Sequence, residues 1–248
     1  MKEFSTAFSG LTDPGILNKK NEDSIYYEAH DLDGGNIGVF AVADGVGGLM
    51  NGDAASRIAT DNMAAWWNYI CKCQIRREEL QDSLKACFEK TNADIRALSM
   101  QQGIKMATTL STLAIFQSEC YIAHIGDSRI YRLRRGMVGS SFQMLTKDHS
   151  CLINTESGGK IIQKSVLTEC LGYKDTIHPL YSVLPVGRGD IYLLCSDGAY
   201  KTINNENLKR IINSSPDMPS ICSNIVHQAK LNSEKDNISV IAIQINQK

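Results

Sequence analysis

The sequence predicts an α+β fold in which mainly antiparallel β-sheets are covered by pairs of helices. Short stretches rich in branched and aromatic residues indicate strands at 24–29, 36–43, 110–116, 119–125, 129–134, 190–195 and 237–245. Two long helical patterns separate the second strand from the third, and two shorter ones precede the last strand. Because strands and helices come in blocks, the pattern does not fit the strict alternation of a parallel, doubly wound sheet.

Each helix is predicted from apolar residues that recur three to four positions apart. The first runs from near Asp53 to about Ile70, and the second from about Arg77 to Met100. The C-terminal pair covers about 205–213 and 219–231, with Asn204 or Asn205 as a helix N-cap. Among the strands, 119–125 and 129–134 are joined by a hairpin-like turn, Gly126-Asp127-Ser128.

The composition is that of an ordinary globular protein domain. The chain has 248 residues, of which 43% are hydrophobic and 21% charged, and its formal net charge is −1. These values are typical of a globular domain. We expect one domain over 1–248, with a short flap-like insertion at about 146–180, where periodicity is weak. The balanced charge argues against binding to nucleic acid or to a membrane surface.

The sequence also bears on the cellular compartment. No apolar run approaches the roughly 18–20 residues that a membrane span needs, and the N-terminus shows no signal-peptide pattern. The eight cysteines are scattered, without the spacing of a zinc site, and several lie within strand-like runs. We therefore expect reduced cysteines and a cytoplasmic protein.

Acidic residues mark the edges of five predicted strands. They follow a strand at Asp44, Asp127 and Asp197, and precede one at Asp236 and at Glu22-Asp23. Aspartate and glycine are common turn residues, so any one of these acids alone is compatible with an ordinary turn. Five together indicate more, because the strand ends of two facing sheets meet at one edge.

Carboxylates that converge at such an edge repel one another unless cations neutralise them. Carboxylates, a backbone carbonyl and waters are the ligands that Mg²⁺ and Mn²⁺ prefer. We therefore interpret Asp44 as a carboxylate that can bridge two ions. Gly45, which has no Cβ to block a metal, can offer its carbonyl to one of them.

At the level of whole motifs, the chain resembles the PPM family, the metal-dependent type-2C serine/threonine protein phosphatases, in its compact bacterial form. The resemblance spans nearly the whole chain, and the matching motifs keep the family's order and spacing. They are Asn21-Glu22-Asp23-Ser24, Val42-Ala43-Asp44-Gly45-Val46-Gly47-Gly48, Thr108-Thr109-Leu110, Gly126-Asp127-Ser128-Arg129, Leu145-Thr146-Lys147-Asp148-His149-Ser150, Ser196-Asp197-Gly198 and Asp236-Asn237-Ile238-Ser239.

The resemblance implies a four-layer α-β-β-α sandwich with two or three Mn²⁺ or Mg²⁺ ions in the cleft between the sheets. Asp44 is expected to bridge two ions, with the Gly45 carbonyl, Asp197 and Asp236 as further ligands. Asp127 matches, together with Asp197, the position of a third ion. Catalysis would depend on Asp44, Asp197 and Asp236 through a water that the metals activate.

Further expectations follow from the same resemblance. Glu22 and Asp23 match acids that hold waters around the metals. The substrate would be a phosphoprotein, in opposition to a serine/threonine kinase, and the enzyme a monomer. Two alternatives stay open: a phosphatase restricted to one partner, and a phosphoprotein-binding or regulatory module of the same fold with low turnover. The cysteines would be bystanders, since none lies in a phosphate-binding loop that ends in arginine.

Three positions depart from the family pattern. Asn18 stands where an arginine usually binds the substrate phosphate, Val46 where eukaryotic relatives have a histidine, and Glu169 where an arginine is common. Asparagine cannot reproduce the two-pronged, charged contact of arginine. Alternate residues of an extended segment point the same way, so Lys20 is the candidate to contact the phosphate beside Asn18.

Overall fold

The computed structural model describes residues 4–17, 20–32, 35–47, 51–73, 76–136, 139–157 and 160–247. The strands are β1 (Phe4–Asp13), β2 (Asp23–Leu32), β3 (Gly35–Asp44), β4 (Leu110–Phe116), β5 (Glu119–Ile125), β6 (Arg129–Arg135), β7 (Ser140–Met144), β8 (Ser150–Ser157), β9 (Lys160–Leu167), β10 (Leu180–Pro185), β11 (Ile191–Cys195) and β12 (Ile238–Gln247). The helices are α1 (Gly52–Cys73), α2 (Arg77–Gln102), α3 (Asp197–Tyr200), α4 (Asn205–Ser214) and α5 (Met218–Leu231).

Two five-stranded antiparallel sheets form the centre of the molecule. We call them the β12 sheet, with strand order β1-β12-β11-β6-β7, and the β3 sheet, with strand order β10-β5-β4-β3-β2. The predicted α+β class is confirmed. All seven predicted strands and all four predicted helices are present, with ends that differ by a few residues.

Three hydrophobic clusters separate four layers. One lies between the β3 sheet and helices α1 and α2, another between the β12 sheet and helices α4 and α5, and the third between the two sheets. Strand β3 contributes side chains to two of these clusters. Val39 and Ala41 face the helices, whereas Phe40 and Val42 face the β12 sheet. Because alternate residues of a strand point to opposite faces, a continuous apolar run serves both layers.

The stretch at 146–180 contains regular structure that its weak periodicity did not indicate. Strands β8 and β9 pair there as a two-stranded antiparallel sheet, and β10 begins at the end of the stretch. Leu152 of β8 is 69% exposed, so this hairpin does not need the alternation that marks a half-buried strand. Strand β1 was also missed; it lies at an edge of the β12 sheet, next to β12.

The described helices include none that is long and apolar enough to cross a membrane.

Candidate active site

The acids that the sequence singles out lie at strand ends in both sheets. Asp44 is the last residue of β3, and Asp23, the first residue of β2, is its direct partner in the antiparallel register. Asp197 begins α3 two residues after β11, and Asp236 lies two residues before β12. Asp127 lies in the turn between β5 and β6. The fold therefore brings these carboxylates to one edge of the sandwich.

Hydroxyl groups connect Asp44 to the turn that carries Asp127. The Asp44 backbone N–H donates to Thr109 Oγ1 at 3.0 Å, and Thr109 Oγ1 lies 2.7 Å from Ser128 Oγ. Thr108 Oγ1 donates to the Asp44 carbonyl at 2.9 Å. These contacts fix the end of β3 relative to the β5–β6 turn.

A second set of contacts fixes the acids of the β12 sheet. The Ser196 N–H donates to the Ser239 carbonyl at 3.0 Å, and the Ser239 N–H donates to Ser196 Oγ at 2.9 Å. Asn237 Oδ1 accepts the N–H of Glu22 at 2.8 Å, which ties the segment before β2 to the start of β12. These hydrogen bonds, each donated by a main-chain N–H, hold Asp197, Asp236 and the Glu22 segment together.

Burial and mutual repulsion disfavour the ionised forms of these acids. Burial is the main cause that raises the pKa of Asp44 well above its usual range, and the neighbouring carboxylates of Asp23 and Asp197 raise it further. Burial, and then Asp197, raises the pKa of Asp127 to about 6. A cation in the cluster would reverse both effects, because it favours the charged form.

Lys201 supplies one such cation from the chain itself. Its Nζ forms an ion pair with Asp197 Oδ2 and lies 3.8 Å from Asp236 Oδ2. Among the residues that the structure describes, no three His, Cys, Asp or Glu side chains are grouped as the ligands of a metal ion. The ammonium of Lys201 therefore lies between the carboxylates of Asp197 and Asp236 in this structure.

Two carboxylate oxygens nevertheless remain available for a metal. Asp197 Oδ1 and Asp23 Oδ2 are buried and have no hydrogen-bond partner among the described residues. A buried oxygen without a partner is costly, and a bound cation removes that cost. The donors are all oxygens, which is the ligand chemistry of Mg²⁺ and Mn²⁺, so the residues present fit these ions.

Comparison with known proteins identifies the family. The model of the family described as "Protein phosphatase 2C" matches residues 17–233. The chain belongs to the protein phosphatase 2C family.

Curated relatives cover almost the whole chain. Protein phosphatase PhpP of Streptococcus pneumoniae is 30% identical over 247 residues, which are 96% of this chain and 96% of that protein. Serine/threonine phosphatase stp of Listeria monocytogenes is 28% identical over 244 residues, covering 94% of this chain and 93% of the relative. The prediction of a serine/threonine protein phosphatase is confirmed.

Solved structures share the fold. A bacterial serine phosphatase superposes with a TM-score of 0.81 at 21% identity, covering 98% of this chain and 99% of the other. The catalytic domain of the serine/threonine protein phosphatase PstP, solved in complex with two manganese ions, superposes with a TM-score of 0.76 at 24% identity, with the same coverage. The four-layer sandwich expected from the resemblance is therefore confirmed.

Packing explains why position 45 is a glycine, in addition to the metal access inferred from the sequence. A Cβ at this position would lie 2.4 Å from the C and O atoms of Gly52 and 2.7 Å from the Glu22 carbonyl oxygen. The Gly45 N–H donates to the same Glu22 carbonyl at 3.1 Å. In this phosphatase the glycine is required because two chain segments pack against it, whether or not its carbonyl also binds a metal.

The predicted phosphate-binding residues are only partly described. Asn18 lies outside the described residues. Lys20 Nζ lies 2.7 Å from Asp53 Oδ1, and the Lys20 side chain is 64% exposed. Lys20 also lines a cavity of about 500 Å³ together with Glu22 and Asp236. Lys20 is therefore next to the acid cluster, but its charge is already shared with Asp53.

Glu22, predicted to hold a water, borders the same cavity. Burial is the main cause that raises the pKa of Glu22, and the nearby carboxylates of Asp53 and Asp236 contribute. Its position is compatible with the predicted role.

His124 is part of the core. It is fully buried, with Nε2 3.0 Å from the Lys147 carbonyl and Nδ1 2.8 Å from Ser111 Oγ. Burial, reinforced by the adjacent ring of His149, lowers the pKa of His124 to about 4, although Asp148 acts in the opposite sense. His124 therefore stays neutral near pH 7.

Three of the cysteines, Cys87, Cys170 and Cys222, lack the lowered pKa of a thiol nucleophile. All eight are free thiols. Burial raises the pKa of Cys170 and of Cys222 to about 11, and that of Cys87 to about 12. A thiol with such a pKa is protonated near pH 7 and reacts slowly.

Sequence reasoning missed Lys201, and it gave no role to Thr109 and Asn237, although both lie in the motifs that carry the resemblance. Lys201 follows Asp197 by four positions, a spacing that brings two side chains together across one helical turn. That signal was present but was not used. Thr109 and Asn237 organise the site through contacts 65 and 215 residues apart in sequence, which no local pattern shows.

Proposed function

We propose that this phosphatase hydrolyses phosphoserine and phosphothreonine in proteins at a centre of two divalent ions, Mn²⁺ or Mg²⁺. The ligands would be Asp44, the Gly45 carbonyl, Asp197 and Asp236. The observation that carries the proposal is the convergence of these acids from two sheets, with a buried Asp197 oxygen that lacks a partner among the described residues. The PstP catalytic domain, a structural neighbour, was solved with two manganese ions.

Divalent ions held at this edge would lower the pKa of a water for attack on phosphorus and would neutralise the charge of the phosphate. The chain's own residues have separate tasks. Asp44, fixed by Thr109, presents its carboxylate between the two sheets. Glu22 and Asp23 would accept hydrogen bonds from waters around the ions, which orients them. Lys20 would attract the phosphate as a point charge.

The proposed cellular setting is that of a signalling enzyme. Its substrates would be phosphoproteins modified by a serine/threonine kinase, and it would act as a cytoplasmic monomer. Free thiols at all eight cysteines are compatible with a reducing compartment.

Phosphate release from three peptides that differ only in the phosphorylated residue tests this proposal. With Mn²⁺ or Mg²⁺ we expect turnover of the phosphoserine and phosphothreonine peptides, much slower turnover of the phosphotyrosine peptide, and no turnover in excess EDTA. Undiminished turnover in EDTA would overturn the metal-dependent mechanism. Binding of the phosphopeptides without release of phosphate, at every metal concentration, would instead indicate a binding module.

A further inference from the structure

Glu234 is a buried acid next to the acid cluster, and the proposed mechanism gives it no role. It lies two residues before Asp236 and is only 8% exposed. It borders the cavity of about 500 Å³ that Lys20, Glu22 and Asp236 also line. A glutamate is rarely buried to this degree unless its carboxylate has partners. The partners of Glu234 therefore indicate what it does.

The Glu234 carboxylate accepts hydrogen bonds from the main chain that leads to Asp236. Its Oε1 accepts the N–H of Lys235 at 2.8 Å and the N–H of Asp236 at 3.1 Å. One oxygen atom thus joins two consecutive peptide groups in the loop between α5 and β12. Because the acceptor is a carboxylate, these hydrogen bonds are stronger than hydrogen bonds to a neutral oxygen. A side chain therefore restrains the conformation of this loop.

The main chain of Glu234 is in turn fixed by the end of α5. Its N–H donates to the Ala229 carbonyl at 3.0 Å, and the Ser233 N–H donates to the Lys230 carbonyl at 3.0 Å. Ser233 has the left-handed conformation, with a φ of 63°. These are the contacts of a Schellman motif, which closes the C-terminus of a helix. The carboxylate thus extends from a fixed point, and its two hydrogen bonds hold the loop relative to α5.

The main chain, rather than side-chain packing, sets the position of the Asp236 carboxylate. The Asp236 side chain is 57% exposed, so few packed neighbours orient it. Its Oδ1 accepts the N–H of Asn237 at 3.0 Å. A Cβ at Gly15, just after β1, would lie 2.2 Å from the Asp236 carbonyl oxygen, so two main-chain segments pack directly against each other here. The carboxylate of Asp236 therefore follows its main chain, which Glu234 restrains from the other side.

We propose that Glu234 is a positioning residue, which holds the loop that presents the Asp236 carboxylate to a divalent ion. The inference rests on the proposed metal centre at Asp44, Asp197 and Asp236. Without the two hydrogen bonds to Glu234 Oε1, the loop would sample other conformations, and ion binding would have to restrain it. Replacement of a residue that orients a metal ligand typically weakens metal affinity by about 10- to 100-fold.

The affinity for Mn²⁺ tests the inference without an activity assay. Free Mn²⁺ is followed by electron paramagnetic resonance during titration of the metal-free protein, for the wild type, Glu234→Leu and Glu234→Gln. Leucine fills the space but accepts no hydrogen bond, whereas glutamine keeps a carbonyl oxygen that can accept both. Glu234→Leu should raise the Mn²⁺ concentration at half occupancy by about tenfold, and Glu234→Gln should stay within about threefold of the wild type.

A control at the other end of the same helix separates positioning from loss of stability. Asp217 Oδ1 accepts the N–H of Ser220 at 2.8 Å and caps the N-terminus of the 14-residue helix α5. Asp217→Ala and Glu234→Leu should both lower the Tm in EDTA, because each leaves main-chain donors without an acceptor. Only Glu234→Leu should also weaken Mn²⁺ binding. If Glu234→Leu does not fold, Glu234→Ala takes its place with the same expected result.

The outcomes separate this inference from the proposed function. Wild-type affinity for Mn²⁺ in Glu234→Leu overturns the positioning role and leaves the metal centre intact. Equal weakening in Glu234→Leu and Glu234→Gln also overturns it, because loss of the negative charge would then be the cause. Equal weakening in Asp217→Ala would assign the effect to general destabilisation. A wild type that binds no Mn²⁺ contradicts the proposed metal centre itself, and the role of Glu234 with it.

Discussion

Replacement of Gly45 by alanine tests the structural explanation of the Asp44-Gly45 turn. The added Cβ would lie 2.4 Å from the C and O atoms of Gly52 and 2.7 Å from the carbonyl oxygen of Glu22. These neighbours are main-chain atoms, so no side chain can rotate away, and either the start of α1 or the segment before β2 must move. We therefore expect Gly45→Ala to destabilise the fold even without metal.

The size of the effect follows from the geometry. Overpacking of a close-packed site usually costs ~1–3 kcal/mol, and contacts with rigid backbone favour the upper end, about 3 kcal/mol. For a chain of this length that corresponds to a decrease in Tm of about 6–12 °C. Gly47, two residues further on, is the matched control, since among the described residues its Cβ would meet only Glu22 Oε2, at 4.0 Å. Gly47→Ala should stay within about 0.5 kcal/mol of the wild type.

Urea unfolding and thermal unfolding in excess EDTA measure these differences without any contribution from metal binding. If Gly45→Ala unfolds at the same urea concentration as Gly47→Ala, the packing explanation is wrong. The glycine would then be needed only for metal access, as the sequence alone suggested.

Two further predictions concern Lys20 and His124. Lys20→Ala should raise KM for a phosphopeptide about two- to fivefold without a change in kcat, because an exposed ammonium shared with Asp53 contributes only ~0.5–1 kcal/mol to binding. In the folded protein the pKa of His124 is held at about 4, below its value of about 6.5 in the unfolded chain, so the unfolded state binds the proton first as pH falls. The stability that neutral His124 contributes is complete above about pH 6.5 and decreases by about 3 kcal/mol in total as pH falls to about 4.

Each of these predictions has a control. Lys85→Ala, at an exposed lysine on α2, should leave KM unchanged; an equal rise in both variants would show a general charge effect. For His124, the measured quantity is the difference in unfolding free energy between the wild type and His124→Asn, because the carboxylate cluster depends on pH in the opposite sense. His227→Asn, at an exposed position on α5, should follow the wild type. A pH-independent difference for His124→Asn would refute the buried, neutral histidine.

The sequence predicted the parts of the fold that are buried on both faces. Strand β3 is a continuous apolar run that ends at Asp44, and its length and composition indicate a central strand without any tertiary information. Strand β1 has one face toward the second sheet and lies at an edge, so polar residues interrupt its apolar pattern. The described side chains of the β8–β9 hairpin are largely exposed, so burial leaves no apolar alternation there for the sequence to show.

The site was predictable at the level of its acids but not of its partners. Position relative to strands and resemblance to a family both indicated Asp44, Asp197 and Asp236. The contacts of Thr109 and Asn237, and the close approach of Gly52 to Gly45, depend on how distant segments meet. These contacts are set by tertiary packing, which hydrophobic periodicity does not encode.

Initial rates of the Asp44→Asn variant test the central claim most directly. Phosphate release from a phosphothreonine peptide is measured at saturating Mn²⁺ for the wild type and for Asp44→Asn, after unfolding in EDTA has shown that the variant is at least as stable as the wild type. A neutral amide cannot bridge two cations as a carboxylate does, so the account predicts no turnover above the protein-free background. A rate within about tenfold of the wild type (~1.4 kcal/mol in activation free energy) would contradict the assignment of the acid cluster as the catalytic metal centre.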